Sequence, residues 1–158
     1  MHRTFAAAAA LSVTMTVTAA IAADQADTFA WSTRRAGDGT WTAALASASR
    51  AQFRARCDGA TGEFLLDYFP DFDLAPGDAL GFSKVWDGPG SIVMLKTRLL
   101  APRHLRGRIA PTPRLLEILA SKQAGLIAPS EMDEREPLLD SGALARVAGS
   151  CRPPRAAP

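Results

Sequence analysis

From Thr40 onward, hydrophobic and polar positions alternate with a period of two, the signature of half-buried strands. Trp41, Ala43 and Leu45 alternate with Thr40, Thr42 and Ala44. Phe53, Ala55 and Cys57 then share one face, with Gln52, Arg54 and Arg56 on the other. Asp58-Gly59-Ala60-Thr61-Gly62 is a hairpin connection rich in turn residues. Beyond it Phe64, Leu66 and Tyr68 face one way and Glu63 and Asp67 the other, so the pattern predicts an antiparallel pair. A loop through Asp71, Asp73 and Pro76-Gly77-Asp78 leads to a third strand over Leu80–Trp86, closed by Asp87-Gly88-Pro89-Gly90. A fourth runs over Ser91–Leu99 with Val93, Leu95, Thr97 and Leu99 on one face, and a short basic piece, His104–Ile109, follows Pro102.

Near Thr112 the period changes to 3.6. Thr112 before Pro113 is a helix start, with a hydroxyl to cap the first turn and a proline preset for its first position. Leu115, Leu116, Ile118 and Leu119 form its apolar stripe, and Gly125 is the stop signal. Leu126–Ala128 reads as an edge strand and the acidic Ser130–Pro137 as a loop. Ser141 opens a last helix in which Leu144, Val147, Ala148 and Cys151 share a face, ended by Pro153-Pro154. The expected fold is α+β: an antiparallel sheet or small sandwich from Thr40 to Ile109, packed by helices over Pro113–Lys122 and Ser141–Cys151.

The opening of the chain follows another logic. His2 and Arg3 precede an uncharged run from Phe5 to Ala22 that ends in Ala20-Ile21-Ala22, which is the layout of a cleaved export signal. The alternative is a membrane anchor, but Thr14, Thr16 and Thr18 keep the run only mildly apolar and no basic stop-transfer cluster follows. The organisation is therefore a signal peptide at 1–22, a polar N-terminal segment at 23–39, one β-rich domain at 40–152 and a disordered tail at 153–158. The expected location is periplasmic or secreted, with no transmembrane anchor in the mature chain. The bias of 15 Arg to 3 Lys is that of a GC-rich bacterium and favours the periplasm.

Export changes the reading of the two cysteines. Cys57 and Cys151 both face inward, and in an oxidising compartment they are expected to pair, closing most of the domain in one loop; two free buried thiols are the alternative. Two cysteines exclude a multi-cysteine zinc site, and export leaves His104 as the one histidine, which alone is no metal site; no cofactor is expected.

Charge is nearly balanced over the whole 158 residues, at 18 Lys+Arg against 16 Asp+Glu, which gives no argument for nucleic acid. Locally it is segregated. Glu63, Asp67, Asp71, Asp73, Asp78 and Asp87 share their stretch with Lys84 alone. Asp71, Asp73 and Asp78 suggest a calcium loop without the order of an EF-hand, or carboxylates for an envelope hydrolase. Arg98, Arg103, Arg106, Arg108 and Arg114 follow with no acid between them. Arg98, Arg103, Arg106 and Arg108 are the candidate anionic-partner patch; the competing reading is internal pairing with Asp71, Asp73 or Asp78. No nucleophile elbow, zinc-protease motif, P-loop or dinucleotide fingerprint occurs, so no catalytic residue is assigned. Trp41 and Trp86 read as core.

The order of these features resembles that of known exported families. Arg56-Cys57 leads into a strand pair, Val85-Trp86-Asp87-Gly88 falls at a turn, and Leu139-Asp140-Ser141-Gly142-Ala143-Leu144-Ala145-Arg146-Val147 closes on Cys151. From about Trp41 to Cys151 the chain resembles the type VI secretion-associated VasI/TagO-type periplasmic proteins and, more distantly, the invasion-associated locus B family. The resemblance implies a β-rich, disulfide-closed accessory domain and supplies no catalytic residues. The function expected is a non-enzymatic periplasmic interaction module acting on a protein or envelope component; an envelope hydrolase and a small-ligand binding protein are the alternatives.

Overall fold

The computed structural model describes residues 28–84, 92–129 and 141–152. The expected signal peptide, Trp86, the acidic 130–137 stretch and the 153–158 tail lie outside the described residues.

The strands are β1 (Ala30–Arg35), β2 (Trp41–Ala46), β3 (Ala51–Cys57), β4 (Phe64–Tyr68), β5 (Gly81–Lys84), β6 (Ile92–Met94), β7 (Lys96–Ala101), β8 (His104–Ile109) and β9 (Ala124–Ile127). The helices are α1 (Pro113–Ala120) and α2 (Ser141–Ser150). Six strands form one antiparallel sheet in the order β1-β2-β3-β4-β8-β7, and three form a second in the order β6-β5-β9. The α+β class is as the pattern predicts.

The alternation of β3 and β4 becomes a hairpin in which Phe53 opposes Tyr68 and Cys57 opposes Phe64. Gly62 closes it at φ +72°, a left-handed conformation that a side chain would strain. Phe53 and Tyr68 stack with ring centroids 4.7 Å apart on the inward face. The Tyr68 hydroxyl donates to the Pro129 carbonyl at 3.1 Å.

Two departures from the sequence pattern matter. The sheet begins at Ala30, ahead of Thr40: β1 pairs with β2 along its whole length, Arg35 opposite Trp41. In addition, the run expected as one strand over Ser91–Leu99 divides at Leu95. β6 pairs with β5 in the small sheet, while β7 pairs with β8 in the large one. Val93, Leu95, Thr97 and Leu99 keep the predicted face, so the chain changes sheet without changing which side is buried. Leu95 donates its amide to the Leu80 carbonyl at 2.9 Å at the crossing point. Its side chain lies over Gly107, where an added Cβ would meet Leu95 Cδ2 at 2.6 Å.

Thr112 caps α1 as expected, its hydroxyl accepting from the Leu115 amide at 3.3 Å. The helix stops at Ala120, ahead of the expected Lys122, because the Ser121 amide bonds the Ile118 carbonyl and the chain turns extended. Gly125 is thereby free to sit inside β9. α2 lies on β2 and β3, and α1 packs between α2 and the small sheet. Leu115, Ile118 and Leu119 of α1 and Leu144, Val147 and Ala148 of α2 close on Phe64, Leu66, Phe82 and Leu105 in one continuous core.

Cys57 at the end of β3 is disulfide-bonded to Cys151, directly after α2, with their Cα atoms 5.2 Å apart. Ser150 beside it accepts from the Trp41 amide at 2.9 Å, which fixes the same end of α2 to the start of β2. The inner face of the large sheet thus carries α2 and the core. Among the described residues no helix or second sheet covers its outer face.

Candidate anion-binding face

Strand alternation decides which side chains reach that outer face. On β3 they are Gln52, Arg54 and Arg56; on β4, Leu65 and Asp67; on β8, His104, Arg106 and Arg108; on β7, Lys96, Arg98 and the exposed Leu100. Register places them in two rows across the strands. In one, Arg54 opposes Asp67, Asp67 opposes Arg106, and Arg106 opposes Arg98. In the other, Arg56 opposes Leu65, Leu65 opposes Arg108, and Arg108 opposes Lys96.

The centre of the first row is a buried carboxylate. Asp67 is 5% exposed although it lies on the uncovered side of the sheet. Arg106 donates to both its oxygens, Nε to Oδ1 at 2.7 Å and a terminal nitrogen to Oδ2 at 3.1 Å. His104 Nε2 lies 2.9 Å from the same Oδ1. Burial pushes the Asp67 carboxyl up, but the Arg106 and His104 hydrogen bonds together outweigh it and hold the group below its ordinary value. Hydrogen bonding to Asp67 in turn raises Arg106. Phe69 continues the polar cage: the His104 ring stacks on it at 4.5 Å and the Arg54 guanidinium lies 5.4 Å from its centroid. Leu65 in the second row is 3% exposed, flanked in register by Arg56 and Arg108, whose apolar stems suit such cover.

The four candidate arginines therefore separate. Arg98, Arg106 and Arg108 stand on the outer face. Arg103 sits in the β7–β8 turn and donates Nε to Asp73 Oδ1 at 2.8 Å. Arg106 is neutralised by Asp67, and Arg108 lies 3.8 Å from Glu63. Arg98 is exposed, and among the described residues neither it nor Lys96 has an ion pair.

Arg54, Arg56 and Lys96 extend the surface, with the exposed Arg34 of β1 on the same face, and the sequence reading did not join them to the patch. The signal was present in the alternation of Gln52, Arg54 and Arg56. What was missing was that β4 brings β3 beside β8.

The acidic loop does not converge. Asp71 pairs with Arg50 at 3.3 Å, Asp73 with Arg103, and Asp78 accepts from the Ala75 amide at 2.8 Å. Each carboxylate serves a separate loop contact, and among the described residues no group of three or more His, Cys, Asp or Glu side chains could hold a metal ion. No described helix is long and apolar enough to cross a membrane. Comparison with protein-family models, curated proteins and solved structures finds no match.

Proposed function

We propose that the chain is an exported interaction module of the bacterial envelope, and that the outer face of its six-stranded sheet is the surface by which it engages an anionic partner. The observation that carries this reading is the direct opposition of like charges: Arg98 faces Arg106 and Lys96 faces Arg108 across the β7–β8 ladder. Like charges in register destabilise a sheet. A fold whose stability was the sole demand on this face gains nothing from them, whereas a partner carrying negative charge turns the same arrangement to use.

The disulfide supports export, because such bonds persist in oxidising compartments. The signal-like residues 1–22 and the resemblance to exported secretion-associated families point the same way. The acidic alternative, hydrolysis through Asp71 or Asp73, has less support, since both carboxylates are engaged by arginines at the surface.

The test combines location with charge. Mass spectrometry of protein recovered from the periplasm or medium should show loss of the first 22 residues. Immobilised chain should retain envelope components at low salt and release them as salt rises. Lys96→Glu with Arg98→Glu should abolish that retention. Retention indifferent to salt and to both reversals would refute the role of this face.

A further inference from the structure

We propose that the partner of the basic face is a phospholipid surface bearing anionic headgroups, held peripherally across β3, β8 and β7. This inference rests on the preceding proposal and names its partner.

Breadth is the first argument. Arg54, Arg106 and Arg98 occupy one register row, and Arg56, Arg108 and Lys96 the next. Strands lie about 4.8 Å apart, and same-face neighbours along a strand about 6.8 Å, so the cations span a grid of about 14 by 7 Å. A single extended polyanion follows one row at a time. A headgroup layer presents phosphates over the whole grid at once, and the planar guanidinium fork suits each of them.

Absence of an anchor is the second. Specific protein interfaces draw most of their affinity from apolar or aromatic residues buried near the centre. Here Leu65 is already buried, and Phe69 is already held between the His104 ring and the Arg54 guanidinium. That leaves no open ring at the centre for a nucleobase to stack on. The exposed large apolar side chains, Ile92, Met94 and Leu100, alternate outward with Lys96 and Arg98 along the edge run, outside the centre of the cation grid. What the centre offers outward is charge, so contact there stays at headgroup level.

Magnitude follows from the number of cations on this face that have no ion pair among the described residues. Near an anionic leaflet each basic side chain contributes about fivefold to partitioning. Arg56, Lys96 and Arg98 are not committed to Asp67, so removing all three should lower partitioning on the order of a hundredfold. Attraction of this kind decays within about 8 Å at physiological ionic strength, so salt should oppose it steeply.

The experiment is co-sedimentation of the purified chain with vesicles of phosphatidylcholine, with and without phosphatidylglycerol. The expected result is salt-sensitive binding only to vesicles containing phosphatidylglycerol. It should fall on the order of a hundredfold in the variant Arg56→Gln, Lys96→Gln, Arg98→Gln, while the melting temperature of that variant is not lowered. Failure to bind, or equal binding to both vesicles, overturns the lipid assignment. Binding to soluble polyphosphate with none to vesicles overturns it in favour of a linear polyanion. If vesicles fail but the triple variant still loses envelope retention, the interaction module stands without the lipid. If the triple variant keeps full retention, both proposals fall.

Discussion

Arg98 and Arg106 face each other across neighbouring strands, and the carboxylate that neutralises Arg106 lies on its other side, at Asp67. The row thus alternates in sign from Arg54 to Arg106 and then repeats a positive charge at the sheet edge. Stability and binding pull apart at that edge. Reversing Lys96 and Arg98 to Glu converts two like-charge pairs into opposite-charge pairs, so the double variant should be more stable by about 0.5–2 kcal/mol. Its association with an anionic partner should slow. Chemical denaturation and on-rate measured on the same protein test both halves. Reversing Arg103 and Arg106 should do the opposite to stability. Arg103 alone should lose less than about 1 kcal/mol, as an exposed pair does. Arg106 should lose about 2–3 kcal/mol, because its removal strips charge-assisted hydrogen bonds from a buried carboxylate.

Asp67 also sets a dependence on pH. Its carboxyl is held below the ordinary value of 3.8, burial opposing and the Arg106 and His104 contacts prevailing. A group depressed in the fold contributes stability that is fully present above its unfolded value and is lost as pH falls through the folded one. Stability should therefore decline on acidification below about pH 4. Asp38 and Asp58 are also depressed, the first by the Thr40 hydroxyl and amide, the second by the Ala60 amide, and they act in the same direction. Asp67→Asn separates the contributions. It should be less stable than the parent at pH 7, and the difference should narrow as pH is lowered. A gap constant down to pH 2 would contradict the ion-pair account.

Legibility in the sequence followed the density of the hydrophobic signal. β3, β4 and α1 carry strong periodicity and local punctuation, and both faces of the β3–β4 hairpin were assigned by alternation alone. β1 was missed because Ala-Trp-Ser-Thr-Arg-Arg offers one bulky apolar residue, and an edge strand needs little more. The division at Leu95 was illegible for a different reason: both halves obey one alternation, and only the partners differ. Asp67 illustrates the limit for the site. A charged residue opposite Phe64 and Leu66 reads as solvent-facing, yet β4 lies at the centre of a sheet whose arginines close over it. Arg54 and Arg56 joined the basic face through strand order, which no local pattern encodes.

The disulfide should dominate thermal behaviour. Cys57 and Cys151 are separated by 94 positions, and a loop of that length gives about 4–5 kcal/mol in the chain-entropy description. Reduction, or replacement of both cysteines by Ala, should lower the melting temperature markedly. Loosening should begin where α2 meets β2 and β3, since the bond and the Ser150–Trp41 contact hold the same end of that helix. Hydrogen exchange should show amide protection lost first in α2 and last in β4. Uniform loss would mean that the bond acts on the unfolded chain alone.

Gly107 provides the sharpest test of how the two sheets meet. It opposes Leu66 on β4 and Thr97 on β7, so it lies on the inner face of a central strand. Its missing side chain is the space occupied by Leu95, the residue at which the chain passes from the small sheet to the large one. A Cβ at position 107 would meet Leu95 Cδ2 at 2.6 Å, Leu95 Cβ at 2.9 Å and Leu80 Cδ1 at 3.3 Å. The Leu95 Cβ is fixed by the backbone and by the Leu95–Leu80 hydrogen bond, so it cannot swing aside as a side-chain terminus can. Gly107→Ala should therefore destabilise by about 1–3 kcal/mol, the range for overpacking a filled interior, and Gly107→Val by more. Pairing Gly107→Ala with Leu95→Ala should recover part of the loss, because the smaller residue removes the closest of the three contacts. A double-mutant cycle at fixed denaturant measures this coupling. Strict additivity of the two changes would show that Leu95 does not sit over Gly107 in solution.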